Sequence, residues 1–373
     1  MKSFASDNYA GAHPAVIEAV AAANVQHVPS YGEDHYTKAA YTALKQQFGA
    51  STHTRLLYNG TSANILCLSA LMKPWDGVIA TKMSHINTDE CGAPERVAGI
   101  KVIPIDSDNG KLTIEAIAPV VEQLQGFEHA RQPKVISISN VSELGTLYTP
   151  EETRKLAEYA HANDMYLHVD GARLANAAAA QGVSLAALTS EAGVDALSLG
   201  GTKNGMLYGD AALWFGKAAE EVKAGSFMLC KASAMLGSKM RFLAAQFCAM
   251  YQDDLWLHCA AQANDMALRL AQGIATSSFS DVCEIAFVDA GDTGSSTQSL
   301  EGKLANEVFA YLPKAIVAPL QEQFHFYTWE EGQGERGTTD CVRWVTSWDS
   351  TEEEVDVLLA ALTAAMEKYL GEG

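Results

Sequence analysis

The sequence predicts an α/β fold built on a mainly parallel sheet, and two observations support this fold class. Short β-branched or apolar runs, bounded by Gly, Asn or Asp, alternate with helical patterns of about 10–15 residues. This alternation is typical of a parallel sheet with helices on both faces. One connection, between residues 199 and 211, contains only eleven residues, whereas a parallel crossover needs about a dozen or more. The strand after this connection is therefore predicted to be antiparallel.

Seven strands are predicted in the first 215 residues, and helices fill most of the gaps between them. The predicted strands cover residues 55–58, 78–81, 101–105, 134–139, 166–169, 196–199 and 211–215. The clearest helical patterns cover residues 61–71, 113–124, 150–163 and 173–181. The third of these begins with Pro150 and two glutamates. Proline in the first turn and acidic side chains at the positive end of the dipole both favour a helix start.

The pattern changes after residue 215. Helical patterns over 240–251 and 254–275 precede weaker strand patterns around 283–288 and 341–346. A final helix is predicted over 351–370, because Thr351 and the three glutamates after it are typical of a capped helix start. The predicted organisation is an N-terminal arm (1–15), a large domain (16–254) and a small C-terminal α+β domain (255–373).

Composition and charge narrow the function classes. The chain has 45 acidic and 26 basic residues and a net charge of −19. This balance argues against nucleic acid and anionic membranes as partners, since phosphate neutralisation needs clustered Lys and Arg. The sequence has no signal-peptide pattern, no apolar stretch long enough to span a membrane and no Cys-x-x-Cys pair. We therefore expect a cytoplasmic protein without a metal site or a disulfide framework.

Candidate ligand-binding residues follow the predicted strands, at the edge of the sheet where open α/β folds bind ligands. Gly60, Thr61 and Ser62 lie between a strand and a helix, where backbone N–H groups and hydroxyls can hold a phosphate. An ordinary strand-to-helix turn with a capping Thr explains the same residues. The spacing matches neither Gly-x-Gly-x-x-Gly nor a Walker loop, which disfavours dinucleotides and nucleoside triphosphates.

Asp170 and Lys203 give the sharper signal, because they follow successive strands and lie 33 residues apart. An Asp that holds a pyridinium nitrogen, a Lys that forms an imine and a phosphate cup are what pyridoxal 5′-phosphate requires. His85 would stack on the cofactor ring. The alternatives are a structural ion pair between Asp170 and Arg173, a solvated surface Lys203 and an ordinary polar loop residue at position 85.

With these residues in place, the sequence resembles the threonine aldolase family, a group of beta-eliminating lyases within the fold-type I pyridoxal-phosphate enzymes. The most specific match is His168-Val-Asp-Gly-Ala-Arg-Leu174, followed one βα unit later by Lys203. A second active-site His common in the family aligns with Asn140, which is a departure. The other matching segments are Ser6-Asp7, Tyr31-Gly-Glu-Asp34, Asn59-Gly-Thr-Ser-Ala-Asn64, His85, Lys239-Met-Arg241 and Val342-Arg-Trp-Val-Thr346.

The resemblance implies a role for each matching residue. Lys203 would carry the cofactor, Asp170 would bind its pyridinium nitrogen, and His85 would stack on its ring. Other cofactor contacts are implied for Gly60, Thr61, Ser62, Arg173, Thr202 and, from a neighbouring subunit, Arg241. The residues implied to bind the substrate are Ser6, Arg173, Arg343 and, across a subunit interface, Tyr31.

The activity implied by the resemblance is cleavage of β-hydroxy-α-amino acids to glycine and an aldehyde. L-threonine, L-allo-threonine and phenylserine are the expected substrates, and a homodimer or homotetramer with shared active sites is the expected assembly. His85, or less favourably Glu90, is the candidate base for the hydroxyl proton. The alternatives left open are a β-eliminating lyase, an aminotransferase and a non-catalytic α/β protein that binds a phosphate ligand.

Overall fold

The computed structural model describes residues 3–287, 300, 304–333 and 336–371. Within them, a seven-stranded sheet forms the centre of the larger part of the molecule, with strand order β1-β7-β6-β5-β4-β2-β3. Its strands are β1 (His53–Leu57), β2 (Asp76–Thr81), β3 (Lys101–Ile105), β4 (Gln132–Ser139), β5 (Tyr166–Gly171), β6 (Ala196–Gly200) and β7 (Asp210–Trp214). All seven predicted strands are confirmed, with bounds that differ by no more than two residues.

The sheet is mixed as the short connection predicted. Strands β2 to β6 pair with one another in parallel. Strand β7 is antiparallel to both of its neighbours, β6 and β1. The reversal of β7 places its first residue, Asp210, at the same edge of the sheet as the last residues of the parallel strands. This edge therefore collects side chains from both kinds of strand.

Helices cover both faces of this sheet. In β7, Ala211 and Leu213 pack into one apolar cluster while Ala212 and Trp214 pack into another, because successive strand residues point to opposite faces. The helices are α1 (Pro14–Ala22), α2 (His35–Phe48), α3 (Gly60–Leu71), α4 (His85–Thr88), α5 (Ala93–Ala98), α6 (Ile114–Leu124), α7 (Pro150–Ala162), α8 (Leu174–Gln181), α9 (Gly216–Val222), α10 (Ser226–Ala232) and α11 (Arg241–Tyr251).

The helix that begins at Pro150 has the start that its sequence predicted. The Thr149 hydroxyl accepts a hydrogen bond from the Glu152 N–H, and the Glu152 carboxylate accepts one from the Thr149 N–H. These two bonds satisfy N–H groups that have no partner inside the helix. The other helices predicted in this part of the chain begin within one residue of their expected positions.

A second, four-stranded antiparallel sheet lies in the C-terminal part, with strand order β10-β11-β9-β8. Its strands are β8 (Glu284–Ala286), β9 (Glu307–Pro313), β10 (Tyr327–Glu330) and β11 (Thr339–Val345). It is accompanied by α12 (Leu255–Ala275), α13 (Lys314–Gln321) and α14 (Glu352–Gly371). The sequence predicted β8 and β11 but missed β9 and β10. Residue 288, at the end of one predicted strand, lies outside the described residues.

Helix α12 links the two parts of the molecule. Its first turns, including Trp256 and Ala260, pack into the core of the large sheet, while Leu270 and Ile274 pack into the core of the small sheet. The N-terminal segment also joins the small sheet, since Phe4 accepts a hydrogen bond from Val345 and lies in the same apolar cluster. The predicted domain bounds remain a prediction. In the described part of the chain, no helix is both long and apolar enough to cross a membrane.

Candidate active site

A pocket lies at the carboxyl edge of the large sheet, where the sequence predicted ligand binding. Seven of the predicted site residues line it: Gly60, Thr61, His85, Asp170, Arg173, Thr202 and Lys203. The other lining residues are Asn8, Asn59, Asn64, Ser139, Val141, Ser142, Glu143, Ala172 and Asp210. The parallel strands bring these residues together because their connections all leave the sheet at one edge.

Lys203 lies in a short 3₁₀ turn (Thr202–Asn204) directly after β6. The turn starts close to the neighbouring strand, since a Cβ atom on Gly200 would lie 2.5 Å from the backbone oxygen of Ala172. Only glycine permits this approach. The charge of Arg173, together with burial, lowers the pKa of the Lys203 amine, although Asp7 and Asp170 act in the opposite direction. The amine is therefore easier to deprotonate than that of an exposed lysine.

Asp170 lies at the end of β5, and both of its carboxylate oxygens are held in place. Oδ2 accepts a hydrogen bond from Nδ2 of Asn64 (2.8 Å), and Oδ1 accepts one from the backbone N–H of Ala172 (3.0 Å). The structure gives Asp170 no ion pair with Arg173, the alternative that the sequence left open. Its carboxylate is instead fixed by an amide and a backbone group, with lone pairs left to accept a further donor.

His85 is linked to Asp170 through two buried side chains. Its Nδ1 atom lies 2.9 Å from Oε1 of Glu90, and the same oxygen accepts a hydrogen bond from Nδ2 of Asn64 at 2.8 Å. The hydrogen bond with Glu90 is the main cause of a raised pKa for His85, against the opposing effect of burial. Glu90 is buried behind His85 and does not belong to the pocket lining.

Arg173 is the centre of a buried ion network. Its guanidinium makes two hydrogen bonds to Asp7, at 2.8 and 3.1 Å, and Nη1 lies 3.5 Å from Oε2 of Glu307. The other oxygen of Glu307 lies 3.5 Å from Nη1 of Arg343. Burial would raise the pKa of Asp7, but the charges of Arg173 and Lys203 and hydrogen bonds from Arg173 and Asn306 outweigh it and lower that pKa.

The loop after β4 adds a carboxyl group that sequence reasoning did not assign. Oε1 of Glu143 accepts hydrogen bonds from the Ser139 hydroxyl (2.6 Å) and from the His85 backbone N–H (3.0 Å). Burial raises the pKa of Glu143 to about 7. Asn140, the position aligned with a second family His, is buried and forms hydrogen bonds with the backbone of Tyr148.

The N-terminus of α3 forms another side of the pocket. The side chain of Asn59 accepts a hydrogen bond from the Ser62 N–H (2.9 Å) and so caps the helix. Gly60 and Thr61 lie in the first turn and line the pocket, whereas Ser62 does not. The first N–H groups of a helix, together with its dipole, favour an anionic group. The structure thus gives this turn the position that a phosphate site needs.

Four other predicted site residues also lie outside the lining. The Ser6 hydroxyl caps the short turn that contains Asp7 by accepting a hydrogen bond from Asn8. Tyr31 is exposed and lies under the amine of Lys231. Arg241 donates hydrogen bonds to the backbone oxygens of residues 25 and 26. Arg343 lies over the ring of Trp329 and near Glu307.

A family model described as beta-eliminating lyase matches residues 3–286. The chain belongs to the beta-eliminating lyase family. It is 36% identical to the low specificity L-threonine aldolase of Pseudomonas aeruginosa and 35% identical to that of a Pseudomonas species, in each case over 98% of both chains. The solved structure of the Leishmania major threonine aldolase matches with a TM-score of 0.86 and 28% identity, covering 98% of this chain and 99% of that one.

In this member of the beta-eliminating lyase family, sequence reasoning missed several residues that shape the pocket. Asp7 and Asn64 lie inside segments that match the family, but the sequence assigned them no role. No pattern in the neighbouring residues predicts that Asp7 contacts Arg173 or that Asn64 contacts Asp170. Asp210 could have been found, since the predicted reversal of β7 places its first residue at the ligand-binding edge. Oδ1 of Asp210 accepts a hydrogen bond from Gly201 (3.0 Å), and burial raises its pKa to about 6.

Replacing Asp7 with Asn should destabilise the fold, because the buried guanidinium of Arg173 loses the carboxylate that accepts two of its hydrogen bonds. Breaking a buried ion pair costs about 3–5 kcal/mol, and the retained contact with Glu307 favours the lower value. Urea unfolding at neutral pH measures the difference. The exposed carboxylate Glu18 provides the control Glu18→Gln, for which we expect a change within about 0.5 kcal/mol.

The pH dependence gives a second check on the same pair. The pKa of Asp7 in the folded protein lies below its ordinary value of 3.8, so its stabilising effect is complete above that value and is lost as pH falls through the folded pKa. The stability difference between wild type and Asp7→Asn should therefore be constant above about pH 5 and shrink below it. A difference that does not change with pH would contradict the ion-pair assignment.

Proposed function

We propose that this protein is a pyridoxal-phosphate-dependent aldehyde-lyase that cleaves β-hydroxy-α-amino acids to glycine and an aldehyde. Its substrate class is that of L-threonine, L-allo-threonine and phenylserine. The observation that carries this proposal is a half-buried lysine and a buried aspartate lining one pocket of a chain with near-full-length similarity to low specificity L-threonine aldolases.

The groups around the pocket fit pyridoxal 5′-phosphate. Gly60 and Thr61, at the N-terminus of α3, suit the phosphate, with Ser62 and Thr202 as further proposed contacts. Asp170 suits the pyridine nitrogen, because its fixed negative charge favours the protonated ring. The imidazole of His85 suits the ring face. When bound, the cofactor accepts the electron pair that is released when a bond to the substrate α-carbon breaks.

Lys203 is the proposed covalent attachment residue. Its lowered pKa increases the fraction of neutral amine at physiological pH, and only the neutral amine is nucleophilic. Arg173 is the largest cause of this shift, so the same arginine has two proposed tasks. It lowers the pKa of the Lys203 amine and contributes to binding of the cofactor and of the substrate carboxylate.

The substrate carboxylate is proposed to bind between Arg173 and Arg343, with Ser6 beside them and Tyr31 contributed by a second subunit. Both guanidinium groups contact the same carboxylate, that of Glu307, each at 3.5 Å from one of its oxygens. Because the two arginines lie close enough to contact one carboxylate of the protein, they are also placed to bind the carboxylate of a ligand together. Bidentate arginine contacts also fix the orientation of the bound carboxylate, which selects the bond to be broken.

His85 and Glu90 are the proton-handling residues proposed from sequence. Glu90 fixes the His85 ring by accepting from Nδ1, and Asn64 connects this pair to Asp170. The proposed task of the pair is to hold the imidazole in one orientation against the cofactor and near the substrate hydroxyl. From the sequence alone they are also the candidates for taking up the hydroxyl proton, a task for which the pocket lining offers a further carboxyl group, that of Glu143.

We also propose a cytoplasmic homodimer or homotetramer with shared active sites. Tyr31 is exposed and Arg241 is outside the pocket lining of its own chain, which supports their action at the site of a neighbouring subunit. The alternative reactions at the same site are β-elimination and transamination, and the alternative from another class is phosphate-ligand binding without catalysis.

Product analysis tests the reaction. L-threonine should give equal amounts of glycine and acetaldehyde, and phenylserine should give glycine and benzaldehyde, because retro-aldol cleavage breaks only the Cα–Cβ bond. Alcohol dehydrogenase coupling detects acetaldehyde, and amino-acid analysis detects glycine. Formation of 2-oxo acids and ammonia instead would favour β-elimination, and amino-group transfer to a 2-oxo acid would favour transamination.

Borohydride reduction tests the attachment residue. The reduced protein should carry a pyridoxyl group on the peptide that contains Lys203, because this residue lines the pocket and its amine has a lowered pKa. Peptide mapping by mass spectrometry locates the group. Lys82, which is exposed on the loop after β2, is the internal control and should stay unlabelled. Labelling of Lys82 or Lys231 in place of Lys203 would refute the assignment.

Sedimentation tests the shared site. The active protein should sediment as a dimer or tetramer. The Arg241→Ala variant should bind the cofactor more weakly than wild type. A mixture of this variant with the inactive Lys203→Ala variant should regain activity. Complementation is expected because each variant supplies the residue that the other lacks. A fully active monomer would contradict the shared-site proposal.

A further inference from the structure

Cleavage of a β-hydroxy amino acid requires an acceptor for the hydroxyl proton, and this inference rests on the proposed function. We propose that Glu143 is that acceptor. Its carboxyl group belongs to the pocket lining, on the loop that follows β4. Among the residues that the structure describes, its Oε2 atom has no hydrogen-bond partner and is shielded from solvent. A carboxyl oxygen without a hydrogen-bond partner, on a residue that lines the pocket, is what a general base needs.

The position of Glu143 is fixed by its other oxygen. Oε1 accepts from the Ser139 hydroxyl at the end of β4 and from the backbone N–H of His85 at the start of α4. These two bonds come from different parts of the sheet edge, so they hold the carboxyl plane without occupying Oε2. The loop thus presents one engaged oxygen and one available oxygen next to the residue proposed to cover the cofactor ring.

The neighbouring candidates are less suited to accept this proton. Oε1 of Glu90 accepts hydrogen bonds from both His85 and Asn64. Oε2 of Glu90 has no partner among the described residues, but Glu90 does not line the pocket. The hydrogen bond that His85 donates to Glu90 raises the pKa of His85, which favours the protonated ring. Asp170 has hydrogen bonds at both oxygens.

The proton affinity of Glu143 supports this geometry. Burial raises the pKa of its carboxyl group to about 7, with a further contribution from the negative charge of Asp170, against the effect of the hydrogen bonds at Oε1. The other charged or titratable groups that line the pocket are His85, Asp170, Arg173, Lys203 and Asp210. A carboxylate with this pKa is present at neutral pH and binds a proton more strongly than an ordinary glutamate.

The proposed step is balanced without an added oxidant or reductant. The hydroxyl O–H bond breaks as its proton passes to Oε2 of Glu143, and the oxygen electron pair forms the C=O bond of the aldehyde. The Cα–Cβ bond breaks and its electron pair remains with the glycine part, which takes up one proton at Cα before release. The net change moves one proton from oxygen to carbon.

The test compares wild type with Glu143→Gln, in which the amide oxygen keeps the two hydrogen bonds at Oε1 but no carboxylate remains. We expect kcat for L-threonine and phenylserine to fall by about 10²–10⁴, with a smaller change in KM. Exchange of the α-hydrogen of glycine with solvent and the visible absorption of the cofactor should be retained, because neither involves a β-hydroxyl. Glu18→Gln is the matched control.

The pH dependence and an infrared titration give readouts that a merely structural role would not change. Wild-type kcat should rise with pH through about 7, since only the carboxylate accepts a proton, and this dependence should vanish in Glu143→Gln. The C=O stretch of a protonated carboxyl titrating near that pH should be present in wild type and absent in the variant. Glu143→Asp, which restores a carboxylate, should recover part of the activity together with a pH dependence.

Retention of kcat within about threefold in Glu143→Gln would overturn the assignment. Equal loss of threonine cleavage and glycine exchange would overturn it as well, because that result indicates a role in positioning His85. If Glu143→Gln does not fold, Glu143→Asp decides, and an unchanged pH profile there counts against Glu143. Wild-type protein that cleaves neither substrate overturns the proposed function itself, which distinguishes the two failures.

Discussion

The pocket depends on the pairing of one guanidinium group, that of Arg173, which is largely removed from water. Arg173 and Lys203 line the same site, and their mutual repulsion lowers the pKa of the lysine. A buried charge costs several kcal/mol unless it is paired. Asp7 and Glu307 provide this pairing for Arg173. Since Asp7 comes from the N-terminal segment and Glu307 from the small sheet, the ion pairs that hold Arg173 also connect distant parts of the chain.

The acidic residues around the site differ in environment and therefore in proposed task. Asp7 meets a guanidinium, which lowers its pKa and makes it a permanent counter-charge. Asp170 is held by an amide and a backbone N–H. Glu143 is half-buried and Asp210 is buried, neither has a cation in direct contact among the described residues, and their pKa values rise to about 7 and 6. One pocket thus contains fixed negative charges beside groups able to exchange protons near neutral pH.

Much of the fold was predictable because its signals are local. Each parallel strand is a short apolar run followed by a helical pattern, and the short connection before β7 was enough to predict its reversal. The small sheet was only half predicted. The pairing of β9 with β11 joins residues 26 to 38 positions apart, with α13 and β10 between them in the chain.

The sequence by itself determined which residues follow the strands, and hence that Gly60, His85, Asp170 and Lys203 would share one edge. Only the tertiary structure decided which side chains meet there. The pairing of Arg173 with Asp7 and the bond between Glu143 and the His85 backbone join residues separated by 166 and 58 positions. Such contacts follow from how the elements pack, and no local pattern encodes them. Burial has the same origin, and it sets the pKa values on which the chemistry of this site depends.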